Sequence, residues 1–398
     1  MILSGIESRN SGSLKNFFEV TSRLVQLGHS VTVLTSEAGA IAIRRTGLKV
    51  QFWTVNIGEA ENPSVLRSIM MMSCALIRTS AVLMKARTPH KTVLLAMSDL
   101  LWDTFPLAFA KQANYVRVTP LHMVYPPPTR GYLGAFSNKI RIPTPREIFA
   151  YLQFQLSIAG MKRHSDFIFA QSNLEHYLLR RHFPAERIIP FTPSVEFDLI
   201  DSISEQSKKY DAFWIGRWHP MKGCYDLIKI WDLVRRDRPD SKLAIIGNAE
   251  SRFRPLVRKL RLDENVEFLG AVDNKTKFQI IKSSRLFLTP SYYESWGHSI
   301  LESLACGVPV VAYDLAVYAT IYPSGLVKVP IGDKMSFYKR VEELLNNNEL
   351  RAELGIEAKI AAQKYVDGYD LAVRRLSSEV QRLARVSEIQ APHIPDYG

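Results

Sequence analysis

From Asp211 onward the chain alternates short apolar runs with helical patterns, and this alternation restricts the fold more than any other feature of the sequence. "DAFWIG", "KLAIIGN", "NVEFLG", "RLFLTPS" and "VPVVAYD" read as buried strands. Between them lie "CYDLIKIWDLVRR", "TKFQIIKSS" and the stretch after Gly297, each with helical spacing. Strands that alternate with helices of roughly 10 to 15 residues imply a parallel sheet covered on both faces. The first half begins the same way: Leu14, Phe17, Phe18, Leu24 and Val25 keep helical spacing, Gly28 punctuates, and "HSVTVLT" reads as a strand.

The predicted fold class is therefore α/β, with two Rossmann-like doubly wound domains facing across a cleft. A chain of 398 residues is long for one core, given about 150 residues per domain. The stretch "FTPSVEFDLIDSISEQSKKY" is polar and poor in helical periodicity, so it reads as the linker. This divides the chain into a first domain over 1–191, a linker over 192–209, a second domain over 210–368, a terminal helix over 369–388 packing back towards the first domain, and a tail over 389–398. Ligands of such sheets bind beyond the carboxyl ends of the strands. No G-x-G-x-x-G follows a strand, which removes support for a nicotinamide dehydrogenase.

In "ESWGHSILESLACGVPVVAYD", residues Gly297 to Gly307 read as a short helix whose apolar face is Ile300, Leu301 and Leu304. Gly307 suits its C-terminus and Pro309 forbids continuation. The backbone N–H groups around His298, Ser299 and Ile300, with the helix dipole, would form an anion site suited to phosphate. Glu302, one turn in, is placed to accept two hydrogen bonds from a ribose diol. Glu294, in the preceding loop, can reach the hydroxyls of a group attached beyond the diphosphate. Arg217 and Lys222 follow the domain's first strand in "GRWHPMKG", where Gly216 and Gly223 ease the loop, and both can neutralise a departing diphosphate. With no D-x-D motif, no metal requirement is expected, and no cofactor beyond the donor substrate. A glycosidase acid/base pair needs carboxylates about 5 to 9.5 Å apart. Eight residues of continuous helix span about 12 Å, so the spacing does not favour hydrolysis.

Together "GRWHPMKG", "IIGN" and "PSYYESWGHSILESLACGVPVVAYD" resemble, in order, the motifs of the family 4 retaining glycosyltransferases of GT-B fold. The resemblance covers the second half strongly, and the first half weakly through "LVQLGHSVTVLTS" and "QSNLEHYL…IIPFTPSVEF". It implies that Arg217 and Lys222 bind the donor diphosphate, Glu302 the ribose and Glu294 the transferred sugar. It also places a catalytic histidine on a first-domain loop, where His122 in "VTPLHMVYPP" falls, and gives Gly12 in "NSGS" the part of the family's first-loop glycines. Ser194 stands where the family's linker motif usually has glycine. The expected activity is transfer of a hexose from a nucleotide-diphosphate sugar to an acceptor hydroxyl with retention of configuration. A nucleotide-sugar epimerase of similar fold and a catalytically silent nucleotide-sugar-binding subunit are the alternatives.

Charge bears on the acceptor. Residues 1–200 hold 22 Lys and Arg against 13 Asp and Glu, leaving 29 against 26 for the remainder. Such asymmetry favours an anionic partner for the first half. Residues 62–98 carry Arg67, Arg78, Lys85, Arg87 and Lys91 with no acid, and read either as a helix covering the sheet or as one lying on a membrane surface. Residues 105–146 are likewise acid-free and basic. A glycan or lipid-linked acceptor with negative charge, and peripheral contact with the inner face of a membrane, are the expectations. No recognition motif supports nucleic acid. Cys74, Cys224 and Cys306 lack metal or disulfide spacing, and "MILSGIESRNSGS" lacks a signal-peptide pattern, so a cytoplasmic location is expected.

Overall fold

The computed structural model describes residues 12–56, 65–86, 92–98, 101–110, 115–121, 142–170, 176–177, 179–190 and 195–389. These fall into two compact units, the first built from residues 12–121, 144–190 and 369–389 and the second centred on 195–368.

The second unit is a six-stranded, all-parallel sheet. Its strands are β7 (Tyr210–Ile215), β8 (Leu243–Ile246), β9 (Val266–Gly270), β10 (Ser284–Thr289), β11 (Val310–Tyr313) and β12 (Leu326–Val329). Their spatial order is β12-β11-β10-β7-β8-β9. The chain thus winds outward from β7 in one direction, returns, and winds outward from β10 in the other, which is the doubly wound Rossmann order. Every residue of β8 and β11 is buried, because helices cover both faces. Alternation sorts the side chains: Ala212, Trp214, Leu286 and Leu288 enter the core on one face, Phe213 and Phe287 on the other. Phe213 and Phe287 stack across the central pair with centroids 4.6 Å apart. That pair, β7 and β10, is where the winding reverses.

In the first unit the described strands also pair in parallel throughout. β1 (Thr32–Thr35) lies beside β2 (Gln51–Thr54). β3 (Thr92–Leu95), β4 (Tyr115–Leu121), β5 (Phe167–Ala170) and β6 (Ile188–Pro190) follow one another in a four-stranded sheet. Helix Gly12–Gln26 sends Phe17 and Val20 into a core shared with Val33, Leu95, Val118 and Phe169.

Two details differ from the sequence reading. Within the supposed linker, Phe197–Ser202 is helical, because Ile200 and Ile203 bury into the second unit's core and pull a turn into shape. The terminal helix does not start at residue 369. It runs unbroken from Asn348 to Ile389, and its later part places Val373 in the first unit's core, with Ser377 hydrogen-bonded to His29 at 2.7 Å. No described helix is long and apolar enough to cross a membrane.

Candidate active site

Two loops leave the carboxyl ends of β7 and β10, side by side at the point where the strand order reverses. This is where an open α/β sheet leaves a crevice for ligands. The first loop holds Gly216, Arg217 and Lys222; the second holds Glu294 and Gly297.

Close backbone approach fixes the first loop. A Cβ on Gly247 would lie 2.2 Å from the Gly216 carbonyl oxygen, and one on Gly223 would lie 1.8 Å from that of Pro290. Gly223 also has φ +63°, so it starts the helix Cys224–Asp237 from a left-handed conformation. The Tyr292 N–H donates to the Met221 carbonyl at 2.7 Å, joining the two loops directly. Gly223→Ala therefore combines an unfavourable φ with a backbone clash. It is expected to cost about 1–3 kcal/mol, measured by urea denaturation.

Lys222 and Glu294 meet across this seam. The ammonium lies 2.7 Å from one carboxylate oxygen and 2.8 Å from the other, with both side chains half-buried. Sequence reasoning gave these residues separate tasks; the fold makes them one unit. Arg217 is exposed to solvent on the same loop. Behind the pair, Asp226 accepts hydrogen bonds from Tyr292 at 2.6 Å and Tyr313 at 2.7 Å, and Lys334 stands 3.7 Å from its other oxygen. Burial first, then the Asp226 carboxylate, raises both phenols well above the ordinary tyrosine range, so they stay protonated and keep donating. Asp226 thus anchors the second loop two residues before Glu294. No sequence motif marked it, although an acid in the first turn of an otherwise apolar helix face was a signal.

Gly297, at φ +82°, turns the chain into helix His298–Ala305. The C-terminus is a Schellman motif: Gly307 N–H donates to Leu304 and Val308 N–H to Ser303. His298 and Ser299 form the first turn. Ile300 corrects the sequence reading, since its N–H is spent on the Gly297 carbonyl at 2.8 Å and its side chain is buried in the core. It belongs to the packing of the helix, and only its neighbours front the loop.

Glu302 also departs from expectation. The carboxylate is 3% exposed and lies 2.8 Å from the Lys277 ammonium, itself 6% exposed. Lys277 in turn donates to Asn274 at 3.0 Å, and Asn274 to Glu196. A buried carboxylate engaged by lysine is less available to a ribose than a solvent-facing one. Lys277 went unread in the sequence, yet it sits four residues before the core residue Ile281 on helix Asn274–Lys282, and a lysine on an apolar face demands an acid. His122 lies outside the described residues. Gly12 begins the first unit's opening helix. Cys224 and Cys306 are thiols that burial pushes up to about 11 and about 12, so neither is a nucleophile.

A parallel sheet with two fastened loops at its switch point carries the sequence signature of a known family. Residues 196–361 match glycosyl transferases group 1. The matched segment takes in the loop residues Arg217, Lys222, Glu294 and Gly297 and the helix residue Glu302, together with Lys277 and Asp226. Among relatives, phosphatidyl-myo-inositol mannosyltransferase of Mycobacterium leprae is 31% identical over 159 residues, 39% of this chain and 42% of that protein. The chain spans less than half the length of the curated relatives it matches first. Among solved structures, sucrose-phosphate synthase of Thermosynechococcus elongatus superposes with a TM-score of 0.72 at 15% identity, covering 96% of each chain. HepE of Anabaena, solved with UDP-glucose, gives 0.68 at 14% identity over 95% of this chain and 98% of its own. These likenesses establish the fold, which is GT-B, two Rossmann-like units in one chain.

Proposed function

We propose that the protein is a retaining glycosyltransferase that moves a hexose from a nucleotide-diphosphate sugar to an acceptor hydroxyl without a metal. The observation that carries this reading is the Lys222–Glu294 pair at the switch point of a group 1 segment. A switch-point crevice suits a nucleotide. Lys222, already held by Glu294, presents fixed positive charge where a diphosphate would depart, and Arg217 adds a bidentate fork from the same loop. Glu294 keeps acceptor capacity for the hydroxyls of the transferred sugar. As the bond from the anomeric carbon to the diphosphate breaks, the acceptor oxygen bonds to that carbon from the same face. The departing phosphate oxygen takes the acceptor's proton. By the family pattern His122 is assigned a catalytic place facing the transferred sugar, and Gly12 to donor binding.

Glu302 is assigned to the ribose through its buried carboxylate, with Lys277 holding the position of that carboxylate. The mannosyl and UDP-glucose names among the likenesses support a hexose and a nucleoside diphosphate, and the phosphatidylinositol name supports a lipid-linked acceptor. The glycosyltransferase family match and relatives do not favour the epimerase alternative.

Melting the protein with UDP, GDP and ADP, then with their sugars, tests the reading. One nucleotide at a hundred times its Kd is expected to add about 2.7 kcal/mol of stability. That gain should shrink in Glu302→Ala and largely persist in Lys222→Ala. No melting shift with any nucleotide would refute the proposal.

A further inference from the structure

Tyr318 begins the short helix Tyr318–Ile321 that follows β11. β11 lies beside β10, with Ala312 opposite Thr289, so the chain leaving β11 emerges next to the loop that carries Glu294. Tyr318 is fully buried in the core that also takes in Trp296, Ile300 and Leu301, which follow Glu294 in the second loop and its helix.

Three tyrosines pack in sequence here, Tyr318 on Tyr322 with centroids 6.0 Å apart and Tyr322 on Tyr365 at 5.9 Å. The Tyr322 hydroxyl donates to the Gly297 carbonyl at 3.3 Å, and that of Tyr365 donates to the Ile321 carbonyl. The Tyr318 hydroxyl is buried and has no hydrogen-bond partner among the described residues. Phenylalanine would fill the same space without stranding a polar group, so packing does not account for the oxygen.

A carboxylate stands near it. Burial, and after it the charge of Glu294, holds the Tyr318 phenol well above the ordinary tyrosine range, so it stays protonated and keeps a proton to donate. Glu294 in turn rests both oxygens on one ammonium, that of Lys222. Once a diphosphate draws that ammonium away, a carboxylate 10% exposed needs another donor.

We propose that Tyr318 is a positioning residue for Glu294, its hydroxyl donating to that carboxylate when Lys222 lets go and keeping it aimed at the hydroxyls of the transferred sugar. The aim at a sugar rests on the glycosyl-transfer reading above; the exchange of partners by Glu294 does not.

A double-mutant cycle of Tyr318→Phe and Lys222→Ala, read by thermal unfolding of the full chain without ligand, tests the exchange. In the parent, Tyr318→Phe is expected to leave the melting temperature unchanged or to raise it, since the hydroxyl has no partner to lose. In Lys222→Ala the same change is expected to lower it by about 2–4 °C, because the hydroxyl has by then become the support of Glu294. Packing alone cannot reverse the sign. Equal effects in the two backgrounds would overturn the proposal, and so would a loss in the parent, where the hydroxyl would then already be bonded. Should Lys222→Ala fail to fold, Lys222→Met carries the cycle instead.

Ligand binding supplies the second readout. The melting shift that UDP-glucose adds over UDP, or GDP-mannose over GDP, should shrink in Tyr318→Phe, while the shift from the nucleotide alone stays that of the parent. An undiminished sugar increment would overturn the aiming of Glu294. A parent that responds to no nucleotide would refute the glycosyl-transfer reading, and the cycle would still decide for or against Tyr318.

Discussion

Lys277→Met is expected to destabilise the protein by about 3–5 kcal/mol, seen as a lower urea midpoint at unchanged slope. The change removes the ammonium 2.8 Å from Glu302 and leaves a carboxylate that is 3% exposed without its counter-charge. Taking an unpaired charge out of water is the expensive event, not the loss of the attraction itself. The double variant Lys277→Met with Glu302→Gln should therefore recover most of the loss, because neither charge remains to be desolvated. A single variant within about 0.5 kcal/mol of the parent would show that water reaches the pair in solution.

Lys222→Ala is expected to slow transfer by about 10²–10³-fold while leaving the donor KM nearly unchanged. Charge on the leaving diphosphate is greatest in the transition state, so a fixed cation beside it acts on kcat. Glu302→Ala, by contrast, should weaken donor binding, and because it strands the buried Lys277 ammonium it should also lower stability, so its donor affinity is compared with that of the Lys277→Met, Glu302→Gln double variant. Glu294 is only 10% exposed, so the variant also loses stability by leaving that carboxylate without its counter-charge, and turnover is compared under conditions where urea denaturation shows both proteins folded. That separates lost catalysis from lost folding. Near-normal turnover in Lys222→Ala would refute the assignment.

Much of the second unit could be read in advance because its strands are apolar on both faces. "LAII" and "VVAY" have no polar residue to confuse the pattern, and the glycines that end the helices are forced by φ. The site's loops were legible for the same reason, as they follow strands whose ends were plain. Partnership through space was not. Lys277 and Glu302 are 25 residues apart on separate helices, and nothing local records that they meet. Ile300 illustrates a different limit: the sequence locates the start of a helix, but only the turn geometry reveals which N–H groups have already been spent on Gly297. Helix Pro145–His164 escaped periodicity because its polar residues, among them Glu147, Gln153, Gln155 and Lys162, are scattered around it while Ile148, Phe149, Leu152 and Leu156 are exposed. The short helix Phe197–Ser202 was hidden in a polar stretch whose two isoleucines do the anchoring.

The helix Asn348–Ile389 also sets an order of assembly. All six strands of the second unit lie between Tyr210 and Val329, so they are available once residue 368 has been made. The first unit starts earlier in the sequence, yet its apolar interior still lacks Val373 at that moment. On a ribosome, the later-encoded lobe can thus consolidate first, and the earlier-encoded one must wait, incompletely filled, for a plug that is made only after it.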